Sequence, residues 1–179
     1  GLFLSPTEAV FSLRAPRSGG APGDTRHHDD RKAATVLRMS LVGANPSAGH
    51  VAADRLPGSS HYLTGSDPAN WQRDVPRYGK VEYKSVYDGV DLVYYGNQGQ
   101  LEYDFVVAPG KDPGGIAMGF SGIEALRLDT LGNLVLSTAH GELKQQKPIV
   151  YQVVDGVRQA VKGAYTLLSD NRVSFALGD

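Results

Sequence analysis

The chain has 179 residues, 41% of them hydrophobic and 21% charged, which is enough apolar material for a buried core and the length of one domain, or of two small ones at most. Eighteen Lys and Arg against nineteen Asp and Glu leave a net charge of −1, so the composition carries no electrostatic footprint for a nucleic-acid backbone or an anionic membrane surface. The absence of Cys removes a disulfide framework, a thiolate zinc site, an iron–sulfur cluster and a cysteine nucleophile, and no apolar run approaches the roughly 18 residues of a spanning helix.

The chain opens on an apolar stretch, Leu2 to Leu13, broken by Ser5-Pro6-Thr7-Glu8, which predicts two short strands joined at the proline. Residues 15–32 contain Pro16, Pro22, three glycines and the charge run His27-His28-Asp29-Asp30-Arg31-Lys32, and are expected to form a mobile surface loop. Leu37, Met39 and Leu41 then alternate with polar residues at the period of two that marks a half-buried strand. The same alternation returns at Val81 and Tyr83, at Leu101, Tyr103, Phe105 and Val107, and at Leu126 and Leu128. Val90 to Tyr95 and Ile149 to Val154 are apolar or aromatic on both faces, which predicts central strands covered on two sides.

Asp67-Pro68 resembles an N-cap followed by proline at the first helical position, predicting one turn of helix near Asp67 to Gln72. Turn signals recur through the second half, and Asp155-Gly156 is the clearest hairpin among them because a type I′ turn needs positive φ at both central residues. Val150 to Val154 should pair with Val157 to Ala160. No fixed-period repeat is present, which argues against a propeller or solenoid within these residues. The prediction is one all-β domain over residues 1–179, an antiparallel β-sandwich of many short strands that could extend to a dozen or more. Its expected inward residues are Leu37, Met39, Leu41, Val81, Tyr83, Leu92, Leu101, Phe105, Leu126, Leu134, Ile149, Tyr151, Val161, Tyr165, Val173 and Phe175.

Catalytic signatures are sparse. Gly119-Phe120-Ser121-Gly122 approaches a nucleophile elbow, but the motif needs glycine where Ile123 stands. No glycine-rich phosphate loop occurs. Glu102 and Asp104, two apart on a strand, face one way at roughly 6.5–7 Å, a spacing that overlaps an inverting glycosidase pair. The plainer reading is the water side of an amphipathic strand. His27, His28, Asp29 and Asp30 have a composition that suits a transition metal, against the commoner explanation of a solvated charge run. Asp88 and Asp91 offer hard oxygens to calcium but lack the order of a calcium loop, and read first as a turn and a cap on backbone amides. No cofactor is assigned, and calcium at Asp88 and Asp91 stays open.

The aromatic distribution is uneven. Seven of the nine tyrosines and the only tryptophan fall between residues 62 and 103. Core packing accounts for most of them. Trp71, and whichever of Tyr94 and Tyr95 faces outward, are the candidates for a ligand-binding surface.

The segment Val86-Tyr87-Asp88-Gly89-Val90-Asp91-Leu92-Val93-Tyr94-Tyr95-Gly96, continuing through Gln100-Leu101-Glu102-Tyr103-Asp104-Phe105-Val106-Val107-Ala108-Pro109-Gly110-Lys111-Asp112-Pro113, resembles the N-terminal domain of bacterial cell-surface proteins that carry SBBP, β-propeller-type, repeats downstream. Gly1 to Val10, Leu41 to Pro46, His61 to Trp71 and Lys147 to Gln152 agree with it, so the resemblance spans nearly the whole chain outside residues 15–32. Asp88 and His61 depart from it, standing where the family favours proline and asparagine. The resemblance implies an exported, surface location, a non-enzymatic role, a domain extending beyond Gly1 and Asp179, and an adjoining repeat domain as partner. It carries over no catalytic or ligand residue. The expected function is a non-catalytic module in scaffolding, adhesion or capping of the repeats, with a surface protein or glycan as a further partner. The alternatives are a carbohydrate-binding module built on Trp71 and the tyrosines, and a glycoside-hydrolase-type enzyme.

Overall fold

A computed structural model describes residues 1–13 and 35–178. The expected loop at 15–32, with its His27-His28-Asp29-Asp30 run, lies outside the described residues. The strands in chain order are β1 (Leu2–Leu4), β2 (Glu8–Leu13), β3 (Thr35–Leu41), β4 (Gly49–Tyr62), β5 (Gln72–Tyr87), β6 (Val90–Asn97), β7 (Gln100–Val107), β8 (Ala117–Ser121), β9 (Ala125–Leu128), β10 (Leu134–Thr138), β11 (Gly141–Gln145), β12 (Val150–Val154), β13 (Val157–Val161), β14 (Gly163–Leu168) and β15 (Arg172–Leu177). Single 3-10 turns occupy Pro68–Asn70 and Pro113–Gly115. Every strand pairing is antiparallel, and the all-β expectation holds, with the strands distributed over four sheets. No helix among the described residues is long and apolar enough to cross a membrane.

The chain divides into two compact units, residues 1–43 with 114–179, and residues 44–113. The first unit holds a six-stranded sheet, β1-β2-β3-β8-β15-β14, a three-stranded sheet, β11-β10-β9, and the two-stranded ribbon β12-β13. Leu37, Met39 and Leu41 bury as their alternation predicts, alongside Met118 and Phe120 of β8 and Val173 of β15. Leu134, Val135 and Leu136 are all buried, as a strand covered on both faces must be. The Tyr165 hydroxyl ties β14 to the end of β11, donating to the Gln146 carbonyl at 3.0 Å and accepting from Gln145 Nε2 at 2.7 Å.

A second fixed point of this unit is the loop between β9 and β10. Asp129 accepts from the amides of Leu131 and Asn133 and from Asn133 Nδ2, each at 2.9 Å, and pairs with Lys144 at 3.0 Å. Buried Asn133 accepts through its Oδ1 from the Lys147 amide at 3.0 Å. These bonds, the Asn133 side chain first and its amide next, hold the Asp129 carboxyl far below its ordinary range.

The second unit is one four-stranded sheet, β4-β5-β6-β7. Val90 to Tyr95 lies between two neighbouring strands, as expected of a central strand, but it is buried on one face only: Val90, Leu92 and Tyr94 are buried while Asp91, Val93 and Tyr95 on the other face are partly exposed. β4 and β5 are 14 and 16 residues long, and their distal halves form an exposed arm. The arm closes through the turn at Pro68–Asn70, where Asp67 Oδ1 accepts from the Ala69 amide at 2.9 Å, the cap that Asp-Pro predicts.

Two expectations about the core are corrected. Ile149 is 88% exposed and Tyr151 is 41% exposed. The run from Ile149 to Val154 is therefore peripheral, because among the described residues β12 pairs with β13 alone. The Asp155-Gly156 turn forms as predicted, with φ of 52° and 78°.

Candidate functional site

Strand alternation sorts the four-stranded sheet into two chemically different faces. On one, Val81, Tyr94 and Tyr103 lie in register, followed by Tyr83, Leu92 and Phe105. The rings of Tyr83 and Tyr94 meet edge to face with centroids 6.1 Å apart, and Tyr94 and Tyr103 follow at 6.0 Å. Tyr94 is 1% exposed, which corrects its candidacy for a ligand surface. Its hydroxyl is buried with no hydrogen-bond partner among the described residues, and burial, with Tyr83 and Tyr87 nearby, pushes its pKa well up.

The opposite face carries Lys80, Tyr95 and Glu102 in one register row and Glu82, Val93 and Asp104 in the next. Tyr95 is the tyrosine of the pair on this polar face, partly exposed. It donates to Asp104 Oδ1 at 3.2 Å, and burial, the Asp104 charge and its contact with Glu102 push its pKa up to about 12. Glu102 also accepts from Asn97 Nδ2 at 2.8 Å. The two carboxylates suggested by a glycosidase spacing thus flank one tyrosine hydroxyl on an open sheet face.

Asp88 and Asp91 do not converge. Asp88 is exposed and pairs with Lys111 Nζ at 2.9 Å, while Asp91 accepts from the Ser85 amide at 2.8 Å and from Lys84 Nζ at 3.0 Å. Partial burial raises the Asp91 pKa, but those two donors outweigh it and leave the carboxyl below its ordinary value. The expected cap on a backbone amide is the Ser85 contact. Among the described residues no three His, Cys, Asp or Glu side chains are grouped to hold a metal ion.

Trp71 lies at the far end of the arm, partly exposed. Its Nε1 donates to the Gly65 carbonyl at 3.1 Å, and the Arg73 guanidinium stands 5.2 Å from its ring. Lys80, opposite Tyr95, lies nine residues along β5 from Trp71, roughly 30 Å of extended strand. Trp71 and Tyr95 are therefore separate positions and not one aromatic platform. Tyr62 and Leu63 accompany Trp71 at the tip, 57% and 56% exposed.

The feature missed from sequence is the exposure of the β12-β13 ribbon, whose pairing the Asp155-Gly156 turn predicted. Ile149, Val153 and Val157 are 88%, 60% and 62% exposed, with Tyr151 and Val154 half-exposed beside them. Arg158 stacks on the Tyr151 ring at 4.4 Å. The signal was present as a both-faced apolar run abutting Asp-Gly, a pattern shared by a buried central strand and an uncovered ribbon.

Comparison with curated proteins and with solved structures finds no match. Comparison with protein families matches residues 1–179 to a domain of unknown function, DUF7948. The match runs through both compact units, and the chain belongs to the DUF7948 family.

Proposed function

We propose that this domain is a non-catalytic interaction module of an exported bacterial surface protein, in which the β12-β13 ribbon seats an adjoining β-propeller-type repeat domain in a scaffolding, adhesive or capping role. The observation that carries the reading is the ribbon's exposure. A two-stranded hairpin is marginal in water, and here it displays Ile149, Val153 and Val157 at 60% exposure or more. By the pairing register Tyr151 and Val153 lie on one face of the ribbon and Val154 and Val157 on the other, so both faces offer apolar surface, and apolar residues concentrated on one element mark protein contact surfaces more often than scattered ones do. Location and partner rest on the resemblance of Val86 to Pro113 to the repeat-bearing surface proteins.

The test is amide hydrogen exchange on this domain alone and on a longer chain that includes the following repeats. Slower exchange over 150–161 in the longer chain is expected, and unchanged exchange there overturns the reading. A second reading, a carbohydrate-binding module, is favoured by the exposed tip residues Tyr62 and Leu63 beside Trp71. Glycan-array binding lost in Trp71→Ala would support it, and calcium dependence of that binding would bring Asp88 and Asp91 back as ligands. A blank array would remove it.

A further inference from the structure

Among the described residues the distal β4-β5 arm is a ribbon with no third strand beside it, and both of its faces have the same make-up. Arg55 pairs with Tyr78 across the strands, and Leu56 pairs with Arg77. Cross-strand partners share a face and successive residues alternate, so each face presents one guanidinium beside one large apolar side chain. Leu56 and Tyr78 are 39% and 41% exposed. Among the described residues, neither Arg55 nor Arg77 forms an ion pair.

The outer face of the same four-stranded sheet carries an excess of carboxylates: its Lys80 is paired with Asp54 and its Lys84 with Glu82 and Asp91. Glu102 and Asp104 project from β7 and take hydrogen bonds from Asn97 and Tyr95 but, among the described residues, form no ion pair with a lysine or arginine. Val106, two residues on, is 52% exposed on that face. A strip of carboxylate next to apolar surface matches a ribbon of guanidinium next to apolar side chain, since arginine stacks its planar head and stem while its N–H groups reach carboxylate oxygens.

We propose that this arm docks on the acidic outer face of the four-stranded sheet of a second copy of the chain. Arg55 or Arg77 reaches Glu102 and Asp104, and Tyr78 or Leu56 covers Val106. Each copy carries both the arm and the face, so one type of contact serves a closed pair, by reciprocal exchange, or an open row.

Sedimentation of the full 179-residue chain over a range of concentration and salt tests this. Reversible association that weakens as salt rises is expected, because exposed charges beyond about 10 Å are screened at 0.1 M. The arm variant Arg55→Glu with Arg77→Glu should be monomeric, as should the face variant Glu102→Lys with Asp104→Lys, each with the far-ultraviolet spectrum of the parent. Mixing the two should restore association, since reversed arm then meets reversed face. A parent chain monomeric throughout, or association indifferent to both reversals, overturns the proposal. So does association abolished only by Val153→Ser and Val157→Ser, which assigns the contact to the other ribbon. Should one double variant fail to fold, the salt dependence of the parent and the remaining variant still decide.

Discussion

Tyr94 and Tyr95 are covalent neighbours on β6 with opposite fates: the Tyr94 hydroxyl is buried without a partner, while the Tyr95 hydroxyl donates to Asp104 at 3.2 Å. The pleat alone separates them. Removing the Tyr94 oxygen relieves a buried polar group of its desolvation cost while keeping the ring contacts with Tyr83 and Tyr103. Tyr94→Phe is expected to leave stability unchanged or raise it by about 1 kcal/mol, and Tyr94→Ala to lower it by about 3–5 kcal/mol. Urea unfolding measures both, and a Phe variant less stable than the parent by more than about 1 kcal/mol would show a partner for the hydroxyl.

Tyr95 should be visible in alkaline titration. Its folded pKa is raised to about 12, so its contribution to stability is complete below the ordinary tyrosine value of 10.0 and declines as pH rises toward 12. Asp104→Asn removes a negative charge and a hydrogen-bonding carboxylate, and should bring the phenol's ionisation downward. The ultraviolet difference between the parent and Tyr95→Phe reports it, and an unmoved titration in Asp104→Asn contradicts the assignment.

Asp129 predicts the acid behaviour of the first unit. Its folded pKa is depressed, so its contribution to stability is present above the ordinary aspartate value of 3.8 and is lost as pH falls below that value toward the folded one. Asp129→Ala should lower the melting temperature at neutral pH, and the gap from the parent should narrow below pH 3.8. A gap that stays constant into strong acid would show that the loop is held by something other than this carboxylate.

Gly122, immediately after β8, has φ of +78°, and a Cβ there would overlap the Val36 carbonyl oxygen. Both the left-handed backbone and the approach to β3 exclude a side chain. Gly122→Ala is expected to cost more than the roughly 1–2 kcal/mol of the backbone term alone, read by thermal or urea unfolding. An Ala variant as stable as the parent would show that the turn can open without disturbing β3.

Much of the strand inventory was legible. Period-two alternation placed Leu37, Met39 and Leu41 inward, because pleating forces side chains to alternate wherever one face meets a core, and the both-faced apolar run Val90 to Tyr95 took its place between two neighbouring strands. Asp155-Gly156 and Asp67-Pro68 carried their own turn and cap chemistry. The long β4-β5 hairpin was not legible. Pro57-Gly58, Pro76 and Gly79 interrupt the alternation, and the pairing shifts register between Leu56 and Ser59, so no periodic stretch survives to announce a strand. The arm is held by cross-strand bonds and not by a buried face, which leaves hydrophobic periodicity nothing to report.

The candidate surfaces divide in the same way. That Tyr94 and Tyr95 must face opposite sides was settled by their adjacency in a strand, but which side was covered depended on residues distant in the chain. Ile149 to Val154 shows the same limit: its apolarity follows from its residues, whereas its exposure follows from β12 pairing, among the described residues, with β13 alone. Local chemistry determined strands, turns and caps, because those interactions span a few residues. Tertiary structure decided burial, charge pairing and exposed ribbons, because each depends on which neighbour the folded chain brings to a face, and pattern along the chain does not encode that neighbour.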